Sequence, residues 1–202
     1  MATDTAARTI ERELAIKADP QAVWNAITDA REITRWFAPE ATATPGEGGR
    51  ISLTWADGLA WAMPIVEWVP DRRLVLTDEG AGELEAAAKE AAPTPSVIRY
   101  EIEPAAAGSV LRLTHTGFGH GAEWDEIYDG TCNGWTFELR SLRYYLENHR
   151  GEDRRLAMAR VPVSAERTDA WATLTGPACL GLQPSTDTLR EGDAFTATPA
   201  VG

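Results

Sequence analysis

The sequence predicts an α+β fold in which a curved antiparallel sheet wraps one long C-terminal helix. In segment 108–118 the side chains alternate, so Leu111, Leu113 and His115 point to one face of a strand. From Trp124 onward the apolar residues change to helical spacing, on a stripe made of Tyr128, Cys132, Trp135, Leu139, Leu142 and Leu146. Several hairpin-linked strands precede this helix. That order indicates an α+β fold in which the sheet packs on the helix.

The N-terminal part predicts a strand followed by two short helices. Residues 10–16 alternate apolar and charged side chains, which predicts a strand, and Arg12 falls on its inward face. Asp19 and Pro20 then predict a helix start, because the carboxylate can cap the helix and proline suits the first helical position. A second short helix follows over about 31–37.

Turn signals divide the next part of the chain into strands. A Pro/Gly cluster at 44–49 and the Asp57-Gly58 pair are typical of turns. Between and after them, period-two patterns predict strands over about 51–55, 59–68, 73–77 and 97–103. The acidic, alanine-rich insert 78–96 predicts a flap or loop. The alternating glycines at 117, 119 and 121 predict a flexible hinge before the long helix.

The composition is that of a folded, acidic protein. Of the 202 residues, 44% are hydrophobic, which is enough for a core. The formal net charge of -12 argues against nucleic acid and against anionic membrane surfaces, because both would be repelled. No apolar run resembles a signal peptide or a membrane span, so we expect a cytoplasmic protein. The two cysteines, Cys132 and Cys179, lack metal-binding spacing, and we expect neither a metal nor a cofactor.

Several segments carry a family resemblance. They are 18–24, Trp36-Phe37, 65–75, 108–118, and Gly134-Trp135 with Leu139, Leu142 and Leu146. On these segments residues 9–150 resemble the helix-grip (START-like) superfamily of START domains, birch-pollen-allergen-like proteins and polyketide cyclases, also called SRPBCC proteins. Within it they are most similar to homologues of the activator of the heat-shock-protein-90 ATPase. The resemblance implies a cavity between the curved sheet and the long helix that holds a small apolar molecule. It implies no shared reaction, because this fold hosts binders, enzymes and co-chaperone modules.

The tail contains an internal repeat. Segment 165–176, with Trp171 near its centre, echoes segment 18–29, in which Trp24 occupies the corresponding position. A second, shorter match relates 191–198 to 47–54. The alternative interpretation is chance similarity among short alanine- and threonine-rich stretches.

The repeat predicts the domain organisation. We expect a helix-grip domain over 1–150, a linker over 151–156, and a truncated second helix-grip copy over 157–202. Such a fragment has too little apolar surface to fold alone. It therefore docks onto the first domain, pairs with a second chain in a homodimer, or is disordered.

Inward-facing side chains of the predicted strands and helix form the candidate ligand-binding site. They are Arg12, Trp55, Trp61, Met63, Tyr100, His115, Phe118, Tyr128, Cys132, Trp135 and Leu139. An aromatic lining with few polar groups suits a flat apolar ligand.

Two of these residues carry chemistry. His115 suits acid–base catalysis near neutral pH, and Tyr100 on the preceding strand could share a proton path with it. The alternative is a core histidine that is hydrogen-bonded to a neighbouring side chain. Arg12 either binds a ligand carboxylate, pairs with a buried acid, or extends to solvent.

Three functions follow from these observations. The first is binding of a small hydrophobic molecule without a cofactor. The second is an enzyme of the cyclase or hydrolase type that uses His115. The third is a co-chaperone-like module that binds a partner protein through its surface and tail.

Overall fold

The first unit of the chain is built on one seven-stranded sheet. The computed structural model describes residues 7–55, 58–80, 94–156 and 164–183, with 188, 190, 193 and 196–198. Contacts divide the chain into two units, Met1–Leu156 and Ala157–Gly202. Most of the predicted flap at 78–96 lies outside the described residues.

All neighbouring strands of the sheet are antiparallel. In chain order they are β1 (Arg8–Ile16), β2 (Glu40–Thr44), β3 (Arg50–Thr54), β4 (Ala60–Val69), β5 (Arg73–Thr77), β6 (Val97–Ala105) and β7 (Gly108–Phe118). Their spatial order is β1-β7-β6-β5-β4-β3-β2, so the first strand pairs with the last. The sequence analysis did not predict β2, whose alternating alanines and threonines carry little apolar signal.

The described residues of the first unit also form three helices: α1 (Pro20–Thr28), α2 (Ala30–Thr34) and α3 (Ala122–Asn148). The Asp19 carboxylate caps α1 by accepting a hydrogen bond of 2.9 Å from the Ala22 amide, as the sequence predicts. The inner face of α1 is buried through Val23, Trp24 and Ile27. None of the helices that the structure describes is long and apolar enough to cross a membrane.

The long helix α3 packs its apolar stripe on the sheet. Trp135, Leu139, Leu142 and Leu146 are buried, whereas Tyr128 and Cys132 near the helix start are half-buried. The sheet supplies the opposite layer through alternating residues, such as Leu111 and Leu113 of β7. The predicted α+β fold, with an antiparallel sheet around a long C-terminal helix, is therefore confirmed.

Gly117 does not act as the hinge that the sequence suggests. It has a φ of +95°, and a Cβ atom there would lie 2.5 Å from the Cα of Ser96. Glycine is required because the backbone of β7 must pass the start of β6 at close range. A Cβ atom on Gly119 would likewise lie 2.4 Å from the indole nitrogen of Trp124. Both glycines thus permit tight packing.

Residues 151–156 belong to the first unit and differ from the expected linker. Arg154 Nη1 donates hydrogen bonds of 3.0 Å to the carbonyl of Trp36 and 2.9 Å to that of Phe37. Asp153 accepts a bond of 3.1 Å from Arg35. These bonds attach the segment that follows α3 to the end of α2.

The described residues of the second unit form one helix and a short hairpin. The helix α4 (Arg167–Thr175) is followed by β8 (Leu182–Gln183) and β9 (Thr196–Ala197), which pair antiparallel. The bounds of α4 lie 147 residues after those of α1 (167 minus 20 and 175 minus 28). In both helices the last threonine donates to the carbonyl of the tryptophan, at 2.7 Å in α1 and 2.8 Å in α4. The likeness agrees with the predicted repeat, which stays a prediction.

Candidate ligand-binding site

His115 is buried between the sheet and α3, and both of its ring nitrogens are hydrogen-bonded. Nε2 lies 2.7 Å from Oδ2 of Asp78, and Nδ1 lies 3.0 Å from the indole Nε1 of Trp135. An indole can only donate, so Nδ1 of the neutral ring accepts and its proton is on Nε2, facing the carboxylate. His115 therefore connects the sheet to the long helix through one continuous chain of hydrogen bonds.

Asp78 is a fully buried carboxylate that is surrounded by donors. Oδ1 accepts from the indole of Trp61 at 2.7 Å and from the amide of Gly80 at 2.9 Å. Oδ2 accepts from His115 and from the hydroxyl of Ser96, the latter at 3.2 Å. Four donors stabilise the anion in place of water, which a buried carboxylate requires.

Sequence reasoning missed Asp78 and Ser96 as site residues. Asp78 continues the inward alternation of Leu74 and Leu76 by one position past the end of β5. Ser96 does the same before the first residue of β6. Extending the period-two pattern beyond the apolar residues would have placed both side chains beside His115.

The Ser96, His115 and Asp78 side chains do not form a nucleophile triad. In such a triad the serine and the acid bind opposite nitrogens of the imidazole. Here Ser96 Oγ lies 3.1 Å from Nε2, the nitrogen that also faces Asp78, while Trp135 occupies Nδ1. The geometry agrees with the alternative of a hydrogen-bonded core histidine.

Trp135 is the centre of an aromatic cluster formed by Phe37, Trp55, Trp61, Tyr100 and Trp135. Ring centroids lie 6.2 Å from Trp135 for Phe37 and for Trp61, and 6.1 Å for Tyr100. Phe37 contacts Trp55 edge-on at 6.0 Å. Trp135 and Tyr100 are buried, whereas the other three rings are half-buried. The aromatic cluster therefore extends from the core to the surface, and Phe37 is a member that the predicted lining omitted.

The other predicted lining residues lie outside the aromatic cluster. Met63 and Leu139 are buried in the core. Phe118 contacts His115 at 4.6 Å and Tyr128 at 5.3 Å, near the start of α3, where Cys132 is half-buried. Arg12 is half-buried, its charge acts on Tyr128, and its Nη1 donates a hydrogen bond of 2.9 Å to the carbonyl of Glu11.

Glu138 adds one acidic group beside the aromatic cluster. It is half-buried on α3, one turn after Trp135, and its buried Oε2 has no hydrogen-bond partner among the described residues. Burial raises the pKa of Glu138 to about 7, and the positive charge of Arg154 opposes that shift. Burial also raises the pKa of Tyr100, and the charges of Asp78 and Glu138 add to the effect.

Comparison with known proteins identifies the family. Residues 17–147 match the family described as Activator of Hsp90 ATPase homolog 1-like protein. The chain belongs to this family. A search of curated proteins found no match.

Solved structures agree with the fold of this family. Protein MLL2253 from Mesorhizobium loti is 20% identical, with a TM-score of 0.56 over 69% of this chain and 96% of the other. The Aha1 dimer from Colwellia psychrerythraea is 18% identical, with a TM-score of 0.59 over 71% and 99%. CalU16 from Micromonospora echinospora is 25% identical, with a TM-score of 0.53 over 74% and 78%.

One surface cleft of this Hsp90-activator-like domain lies beside the end of α3 and is lined by Arg35, Tyr144, His149 and Arg154. No residue of the predicted lining borders this cleft. Within the described part of the chain, no three His, Cys, Asp or Glu side chains are close enough together to hold a metal ion.

We expect His115→Ala to destabilise the protein by about 3 to 5 kcal/mol, because it leaves a cavity and removes one donor from the buried Asp78 carboxylate. Urea unfolding followed by tryptophan fluorescence measures the change. His149→Ala, at the partly exposed end of α3, is the control and should cost less than about 1 kcal/mol. Equal effects of the two substitutions would contradict the assigned role of His115.

We expect the stability of the wild-type protein to fall as pH rises from 4.5 towards about 7, since the folded state holds the Glu138 proton more tightly than the unfolded chain does. Glu138→Gln should remove this loss. At pH 8 the variant should be more stable than wild type by roughly 1 to 2 kcal/mol, after a discount for the exposed part of the side chain. Unfolding curves at pH 5 and 8 test this, with the exposed Glu126→Gln as control. A Glu138→Gln variant that is less stable than the wild-type protein at pH 8 would refute the expectation.

Proposed function

We propose that the protein binds a small apolar molecule at the aromatic cluster, between the sheet and α3. The observation that carries the proposal is the partial exposure of Phe37, Trp55 and Trp61 around the buried ring of Trp135. A group of partly exposed aromatic side chains forms an apolar patch, and such patches are typical of binding sites for apolar ligands or partners. Flat rings at edge-on and tilted angles offer a flat ligand both faces and edges to contact.

The hydrogen bonds around His115 support binding over acid–base catalysis. A general base needs a free lone pair within reach of the proton that it removes. Nδ1 already accepts from Trp135, and the proton on Nε2 faces Asp78. In the proposed function His115 is a positioning residue, because it fixes the indole of Trp135 at the centre of the aromatic cluster.

The test combines native mass spectrometry of freshly purified protein with a fluorescence titration of 1-naphthalenemethanol, a neutral aromatic probe. We expect Phe37→Ala to weaken probe binding by about tenfold or more, equivalent to about 1.4 kcal/mol. Phe137→Ala removes an exposed phenylalanine of α3 and should leave binding unchanged. Phe37→Leu keeps most of the apolar volume and controls for folding.

A retained small-molecule adduct in the mass spectrum would strengthen the proposal. Absence of probe binding to the wild-type protein would refute it. Equal weakening by Phe37→Ala and Phe137→Ala would exclude the aromatic cluster as the site.

We also propose a homodimer through residues 157–202. Trp171 and Leu174, one turn apart on α4, are 55% and 45% exposed and line an apolar cleft with Ala170 and Cys179. The structure of the Colwellia relative is described as a dimer, although its identity of 18% carries only the fold. An apolar, exposed tryptophan is the type of residue that anchors protein interfaces.

Sedimentation of the full chain over a range of concentrations tests the homodimer. We expect the mass of the wild-type protein to rise with concentration and that of Trp171→Ser to remain that of one chain. The exposed Thr168→Ala, on the same helix but outside the cleft, should behave as wild type. A wild-type protein that stays monomeric at the highest concentration would refute the proposal.

A further inference from the structure

We propose that the molecule bound at the aromatic cluster is an apolar amine, and that Glu138 binds its protonated nitrogen. This inference rests on the proposed function and adds the chemical class of the ligand. It is argued from the unpartnered carboxylate, the neighbouring charges and the aromatic rings.

The carboxylate of Glu138 is placed for a ligand and not for the fold. Its Oε2 is buried, and among the described residues nothing donates to it. A buried acceptor without a donor costs free energy that an exposed glutamate would avoid. Asp78 in the same interior has four donors, so the fold is able to satisfy a buried carboxylate. The unsatisfied Oε2 of Glu138 is therefore an acceptor to which a donor on a ligand can hydrogen-bond.

Arg154, whose charge acts on Glu138, does not satisfy that acceptor. Its Nη1 donates to the carbonyls of Trp36 and Phe37. Within the described residues no ion pair joins Arg154 to Glu138. The charge of Glu138 also acts on Tyr100, whose phenol carries no positive charge.

The surroundings favour a cation over an anion. Aromatic ring faces attract positive charge, most strongly those of tryptophan, and the aromatic cluster contains three of these residues. Asp78 accepts from the indole of Trp61, and the charges of Asp78 and Glu138 both act on Tyr100, so both carboxylates contribute negative potential at the aromatic cluster. A ligand carboxylate would be repelled here, whereas an ammonium group would gain an ion pair and contacts with ring faces.

Three probes with the same naphthalene ring test the inference: 1-naphthylmethylamine, 1-naphthalenemethanol and 1-naphthoic acid. Binding to the full chain is measured by calorimetry at pH 8, where Glu138 is mostly ionised. We expect the amine to bind about tenfold or more tightly than the alcohol, and the acid to bind most weakly. In Glu138→Gln the ratio of amine to alcohol affinity should fall severalfold, to the preference that the ring faces and Asp78 supply, while Glu126→Gln should retain the wild-type ratio.

The outcomes separate this inference from the proposed function. If amine and alcohol bind the wild-type protein equally, the ligand class is wrong and the apolar site stands. If none of the three probes binds, both proposals fail. A preference for the amine that is undiminished in Glu138→Gln would assign the selectivity to the ring faces and the general negative charge, and would overturn the role of Glu138. Should Glu138→Gln fail to fold, Glu138→Asp, which keeps the charge and shortens the reach, should lower the ratio without abolishing it.

Discussion

The hydrogen-bond chain from Asp78 through His115 to Trp135 is the interaction on which the interior depends. It joins the residue that follows β5, His115 of β7 and the middle of α3. Apolar packing tolerates small rotations and slides, whereas a buried carboxylate and an imidazole accept few geometries. The chain therefore fixes where the long helix lies on the sheet and which way the indole of Trp135 faces.

Two carboxylates near the indole of Trp135, those of Asp78 and Glu138, differ in how many hydrogen-bond donors surround them. Asp78 is enclosed by donors from four residues, so its charge is balanced within the fold. Glu138 lies one turn after Trp135 on α3, and its Oε2 has no such donor among the described residues. The first carboxylate holds the architecture, and the second is a polar group whose hydrogen bonding a ligand could complete. Both side chains carry a carboxylate, so the difference between Asp78 and Glu138 lies in the hydrogen-bond donors that the fold places around each.

Sequence patterns predict much of this fold and part of the site. Alternation predicts β7 and the inward position of His115, and helical spacing predicts the buried stripe of α3. They miss β2, because alanine and threonine give a weak apolar signal. Asp78 and Ser96 were missed because the alternation was not followed beyond the apolar residues of β5 and β6, and Glu138 because a helical glutamate is ordinarily exposed. The partners of His115 come from strands and a helix that are distant in sequence, and only the register of the sheet brings them together.

The pairing of β1 with β7 bears on how the protein acquires its structure. Arg8 lies opposite Phe118, so the first strand cannot take its place until more than a hundred residues have followed it. Closing so long a loop is entropically slow, and topologies dominated by such distant pairs fold over milliseconds to seconds. During synthesis the hairpin of β6 and β7 leaves the ribosome before α3 can cover its apolar face. The nascent chain therefore passes through a stage with an uncovered sheet, when self-association competes with folding.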